Sequence, residues 1–206
     1  VKNRKIFTTV VTLSLSVVAG SILIQNQSQE VSAADREQDP MYRPAGAEPD
    51  QEATDAIWQA MEDAHWIRDG DSEAPRVIYT FTDPNCPFCN RFWQAARPWV
   101  DAGKVQVRHI VVGILRDTSA AKAGFLLEAD NPERALHAHS SNDRPAEARS
   151  ETGEARKMVF ENNNLFRNLG LSATPTTFYR EGDQLIPVPG APQGARLEAI
   201  MGSPAP

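Results

Sequence analysis

The chain has two cysteines, Cys86 and Cys89, set three positions apart in FTDPNCPFCNRFW (81–93). What flanks them constrains the fold more than any other feature. On one side, RVIYTFTD (76–83) is a short β-rich run of the kind found in a buried strand. On the other, CPFCNRFWQAARPWVDAGK puts Phe88, Phe92, Ala96 and Trp99 on one helical face and stops at Gly103. The thiols therefore sit where a strand gives way to a helix. Pro98 is expected to kink that helix, because it removes a hydrogen bond and crowds the carbonyl four residues back. VQVRHIVVG (105–113) reads as a second strand, parallel to the first if the helix is the crossover.

The remaining patterns fall around this unit. Ile57, Trp58, Met61, Ala64 and His65 recur at helical spacing and Gly70 closes the segment, which predicts a linker helix over 54–72. Residues from about 118 to 168 look helical, broken by the polar loop SSNDRPAEARSETG. TTFY (176–179) and LIPVPG (185–190) flank a Gly-containing turn and make a hairpin candidate. A last short helix is expected from Gln193 to Met201. The order is β-α-β, a helical insert, then β-β-α. It is that of an α/β thioredoxin-like fold, a central mixed sheet flanked by helices, with a catalytic domain at 73–206 and a helical insertion at about 118–168.

The first residues read as an export signal. Lys2, Arg4 and Lys5 precede an apolar run from Ile6 to Ile24, and Val31-Ser32-Ala33 supplies a cleavage site, so 1–33 is expected to be a signal peptide. A membrane anchor is the alternative, since the run approaches the roughly 20 residues that span a bilayer. Residues 34–53, rich in Pro, Gly, Ala and acids, read as a flexible tether. Removing 1–33 takes away three basic residues and Glu30, leaving a charge of (21−3)−(27−1), or −8. An acidic chain without a basic stripe is not expected to bind nucleic acid.

Disulfides persist outside the cytoplasm, yet a bridge between Cys86 and Cys89 closes too short a loop to act as a staple. Cys86 at a helix start, with Pro87 in the first turn, has unpaired N–H groups and the helix dipole to favour a thiolate. That makes Cys86 the attacking sulfur and Cys89, one turn inward, the resolving one. Haem attachment is excluded, because Asn90 follows Cys89 where His would be needed. Zinc would need two more ligands, and His137 and His139 diverge on a helix. The four histidines are expected at the surface or half-buried, without a catalytic task. Trp93 and Trp99 are close enough to the cysteines that tryptophan emission is expected to change on reduction. Thr174-Pro175, just ahead of the third strand, stands where this fold places a substrate-facing loop.

Over residues 54–202 the chain resembles the periplasmic DsbC/DsbG family of disulfide isomerases and reductases, nearer its DsbG branch. The resemblance is carried by WQAMEDAHWIRDG (58–70), Cys-Pro-aromatic-Cys (86–89), FWQAARPWVDAGKVQ (92–106), TPTTFY (174–179) and IMG (200–202). It implies Cys86 as nucleophile, Cys89 as resolver, Thr174 and cis-Pro175 as the substrate-binding loop, and Pro87 and Phe88 as residues that tune the pair. It also implies a DsbD-type membrane reductase as electron donor, and oxidised or sulfenylated proteins as clients. No cofactor is expected beyond the dithiol itself. Members carry an N-terminal dimerisation domain whose place is taken here by 34–53, so a monomer, or a dimer made in some other way, is expected. Two other functions stay open: a monomeric DsbA-like oxidase, and a client-binding holdase whose cysteines are incidental.

Overall fold

In the computed structural model of the chain, residues 50–149 and 152–206 are described. The expected signal segment (1–33) and nearly all of the expected tether lie outside them. Strand β2 (Arg76–Thr82) runs into helix α2 (Pro87–Asp101) and returns as β3 (Val105–Val111), parallel to β2 from the Arg76↔Val105 pair to Thr82↔Val111. Two further strands, β4 (Thr176–Glu181) and β5 (Gln184–Pro189), form the hairpin that the sequence suggests. Its two-residue turn begins with Gly182 at φ +59°. β4 pairs antiparallel with β2.

The fifth strand was not expected. The helix read over 54–72 is shorter and earlier: α1 spans Gln51–Glu62, capped by the Asp50 carboxylate, which accepts from Glu52 N. Trp66–Asp69 then forms β1, antiparallel to β3, and the sheet order is β1-β3-β2-β4-β5. Trp66 packs with one cluster of the core and Ile67 with another. Neighbouring side chains that part to opposite faces follow a period of two, which a helix cannot satisfy. The sheet thus begins before residue 73. Gly70 ends β1 at φ +106°, and a Cβ there would come within 2.7 Å of Val105 O, so only glycine fits.

β2 is buried from Ile78 to Thr82 because both faces of the sheet are covered. Ile78, Val105 and Val107 meet Phe92, Ala96 and Trp99 of α2, together with Leu197, Ile200 and Met201 of the last helix, α6 (Ala195–Met201). On the other face, Tyr79, Phe81, Ile110 and Phe178 meet Met61 of α1 and Phe166. Each such large apolar side chain contributes about 1.5–3 kcal/mol when fully buried. Helix α2 continues through Pro98. Pro98 and Gln94, whose carbonyl loses its partner, both lie on the exposed face, where solvent can satisfy the freed group.

Between β3 and β4 lie α3 (Ser119–Leu127), α4 (Pro132–Ser140) and α5 (Gly153–Asn168). Buried Asn162 of α5 bonds His65 N and O and the Val111 carbonyl (3.1, 2.7 and 2.9 Å), fastening the insertion to the end of β3. Among the described residues, no helix is long and apolar enough to cross a membrane.

Candidate active site

At the end of β2 the chain turns through Asp83-Pro84-Asn85, closed by Cys86 N donating to Asp83 O at 2.9 Å. Cys86 is the N-cap of α2, its sulfur accepting from Cys89 N at 3.3 Å, and Pro87 occupies the first turn. Both thiols are free and each is only 6% exposed. Phe88 projects outward at 49% exposure with the Arg91 guanidinium over its ring.

The loop is held by a carboxylate that the sequence reading did not single out. Asp83, 1% exposed, accepts from Asn85 N (2.8 Å) and Ser119 Oγ (2.9 Å) on one oxygen. Its other oxygen accepts from Ile114 N (2.8 Å) and Leu115 N (3.0 Å). The Asn85 amide reaches Thr118 and Ser119, and its oxygen accepts from Lys122 Nζ at 2.8 Å. Asn90 Nδ2 donates to Ser140 O, and His139 Nε2 lies 2.9 Å from Pro84 O while Nδ1 accepts from Ala146 N at 3.0 Å. The insertion therefore supplies much of the scaffold around the cysteines. Gly113 lets it approach, since a Cβ there would lie 2.4 Å from the Ala120 backbone.

From the opposite side come Thr174 and Pro175, joined by a cis peptide bond. The protonated Cys86 thiol donates to Thr174 O at 3.1 Å, and Pro175 O accepts from Gly190 N at 2.7 Å. All six residues singled out from the sequence (Cys86, Pro87, Phe88, Cys89, Thr174 and Pro175) thus fall on one helix start and the loop facing it. Exposed Ile114 and Leu115 belong to the segment that binds Asp83, beside this site.

The two sulfurs are electrostatically unlike. A hydrogen bond from the Cys89 thiol, outweighing the opposing effect of burial and helped by the Thr174 hydroxyl and the N–H groups of Cys89 and Phe88, lowers the Cys86 pKa to about 6. Burial, followed by the neighbouring Cys86, pushes Cys89 far up. Alkylation of Cys86 by iodoacetamide is therefore expected to plateau above pH 7, halve near pH 6 and fall about tenfold per unit below that. A midpoint near 8.5, that of a free cysteine, would overturn this assignment.

One expectation about the histidines needs correction. His65 and His139 are half-buried and His137 is exposed, but His109 is only 3% exposed. It lies on the inner face of β3 two residues from Val107 and from Val111, a position that excludes solvent whatever the residue type. Trp93 lies one turn beyond Cys89 on the same face, its ring flanked by His137 and by the Arg97 guanidinium. Trp99 instead hydrogen-bonds Ser203 O and Pro204 O near the C-terminus. The redox-dependent emission change is thus expected to vanish in Trp93→Phe and persist in Trp99→Phe, as read by fluorescence of both redox forms.

A family model described as a thioredoxin-like domain matches residues 68–203. The chain is similar to the thiol:disulfide interchange protein DsbG of Pseudomonas aeruginosa, 45% identical over 150 residues, which cover 71% of this chain and 59% of that protein. DsbG of Escherichia coli is 35% identical over 170 residues, 79% of this chain and 64% of that protein. The chain thus spans less than two thirds of the length of either relative. Among solved structures, the catalytic domain of Proteus mirabilis ScsC matches with a TM-score of 0.60 and 25% identity, over 74% of this chain and 96% of that one. A disulfide interchange protein from Neisseria gonorrhoeae shares the fold with a TM-score of 0.55 and 21% identity, over 67% and 94%. With the family model matched from within the edge strand to beyond the last helix, the chain belongs to the thioredoxin-like domain family.

Proposed function

We propose that the chain is a periplasmic thiol–disulfide oxidoreductase that reduces or isomerises disulfides, and reduces sulfenic acids, in client proteins. The observation that carries the reading is the asymmetry of the pair: a capped Cys86 that ionises near neutral pH beside a buried Cys89 that stays protonated. The similarity to two DsbG proteins supports it. In the first step the Cys86 thiolate attacks a client disulfide and expels a thiolate, or attacks a client sulfenic acid and expels hydroxide. Either way a Cys86–client disulfide forms. Cys89 then attacks Cys86 Sγ, the client sulfur leaves with the electron pair, and a Cys86–Cys89 disulfide remains. A DsbD-type membrane reductase would return two electrons to it. Thr174 and Pro175 would hold the client chain, and Pro87 and Phe88 would tune the potential. One copy carries every residue of the site, so no second copy is needed for the chemistry.

A second reading, a DsbA-like oxidase, draws on the same low Cys86 pKa. Stabilising the reduced form makes the disulfide a stronger oxidant. The redox state of the pair in living cells, fixed by acid quench and thiol alkylation, separates the two. A mostly reduced pair supports the reductase and isomerase reading, and a mostly oxidised pair overturns it in favour of the oxidase.

A further inference from the structure

Two cavities border the helical insertion, and one short segment helps to wall both. The first, of about 500 Å³, is lined by Cys86 and Cys89, by His139 and Ser140 of α4, and by Asn142. The second, of about 960 Å³, is lined by Phe125 and Glu128 and by Asp143, Arg144 and Glu147 of the same segment. We propose that residues 142–149 form a strap beside the cysteines, latched by neutral His139 and released when this imidazole takes a proton.

Little else fastens the strap. The turn after α4 is closed by Arg144 N donating to Ala138 O at 2.9 Å and by Ser141 Oγ donating to Asp143 at 2.9 Å. From Asn142 to Arg149, Ala146 is the one buried residue. Its methyl packs with Leu126, Leu136 and Val159, and its N–H donates to His139 Nδ1 at 3.0 Å. Farther along, the Arg149 guanidinium lies over the Phe125 ring and pairs with Glu147 inside the strap.

Both ring nitrogens of half-buried His139 are committed. Nε2 lies 2.9 Å from Pro84 O. A carbonyl only accepts, so Nε2 carries the hydrogen. The Ala146 N–H only donates, so Nδ1 keeps its lone pair. The latched ring is therefore neutral. An imidazolium has a hydrogen on each nitrogen, so no rotation of the ring offers Ala146 an acceptor. Release then follows in order. The strap lifts transiently, Nδ1 takes a proton from solvent, and the Ala146 N–H finds no partner on its return. The bond from Nε2 to Pro84 O survives, so the turn ahead of Cys86 stays in place while the cavity wall at Asn142 moves.

Several charged groups bear on this proton. The turn supplies Asp83, α2 supplies Cys86, Cys89 and Arg91, β3 supplies His109, and α3 supplies Lys122. On α4 itself His137 is two positions away, and the strap brings Asp143, Arg144 and Glu147. Burial lowers the His139 pKa below the ordinary imidazole value, against the Pro84 carbonyl; Lys122 lowers it further and Asp83 opposes. A latched pKa below the open one means that the latch contributes fully above about pH 6.5 and is lost as pH falls through the latched value.

The test is amide exchange of the oxidised full-length chain between pH 7.5 and 5, read by NMR as the protection factor at Ala146. Oxidation removes the titrations of Cys86 and Cys89 from this range. Protection is expected to hold down to about pH 6.5 and then to fall by up to tenfold per unit. The whole fall should be about tenfold, the worth of one hydrogen bond. His139→Gln can donate to Pro84 O but takes no proton, so its protection should be flat over the range. His137→Gln should keep the wild-type fall. Flat protection in the wild type, a fall that persists in His139→Gln, or its loss in His137→Gln overturns the proposal. If His139→Gln fails to fold, the wild-type imidazole titration decides. A His139 midpoint below 6.5, where the fall in protection levels off, supports the latch, and a midpoint at 6.5 or above overturns it.

Discussion

Cys86→Ser is expected to bring reduction of a peptide disulfide down to the uncatalysed rate, while Cys89→Ser should complete the first attack and stop. The two outcomes differ because the sulfurs do different work. With a pKa of about 6, Cys86 is about 90% thiolate at pH 7, against roughly 3% for a free cysteine. A serine hydroxyl stays protonated there and offers no comparable nucleophile. Cys89 is needed only afterwards, so its loss leaves a Cys86–client disulfide with nothing beside it to attack. Non-reducing electrophoresis should then show client adducts of Cys89→Ser in up to one-to-one ratio and none of Cys86→Ser. Equal turnover by wild type and Cys86→Ser would refute the nucleophile assignment. Client protection that survives in Cys86→Ser, without turnover in the wild type, would establish the holdase reading instead.

Asp83→Ala is expected to destabilise the oxidised protein by at least about 4 kcal/mol, because four donors lose their acceptor and each one left unmade costs about 1–3 kcal/mol. For a domain of this size that lowers the melting temperature by about 10 °C. Ser119→Ala removes one of the four bonds and should cost about 1 kcal/mol. The oxidised form is the one to melt, since its cysteines do not ionise and cannot add their own pH dependence. In the reduced form the Cys86 pKa, lowered on folding, adds stability that is fully present above the unfolded thiol pKa near 9 and lost as pH falls through about 6. Unchanged melting in Asp83→Ala would show that the carboxylate does not anchor the loop.

The sequence made the centre of the molecule readable and its supports much less so. β2 and α2 announce themselves because a run buried on both faces and a long amphipathic helix have different periods, and the cysteines mark the join. Thr174-Pro175 was legible from its place in the order of elements. β1 was not: Trp66–Asp69 is four residues long and follows a true helix, so its alternation is too brief to compete with the helical pattern before it. The start of α1 at Gln51 was hidden by the polar composition of 34–53, although Asp50 is a recognisable cap. Asp83 was missed because its partners Ile114, Leu115 and Ser119 come from residues 31 to 36 positions later. Only the parallel crossover and the insertion bring them to the end of β2. His109 was misplaced for a related reason, as a lone histidine gives no sign that its strand is covered on both faces until the helices are in place.

The outer strand β5 has a consequence for the company such a protein would keep. Gly190 N points inward to Pro175 O, so along an extended strand the N–H groups of 188 and 186 also point inward and those of 187 and 189 outward. Of the outward positions 185, 187 and 189, the last two are Pro187 and Pro189, which have no N–H to give. A half-folded chain with an unpaired strand would find few donors along this edge and little reason to zip onto it. Were the proposed clients misfolded, such an edge would let the protein touch them at the thiol without becoming the seed of their aggregates.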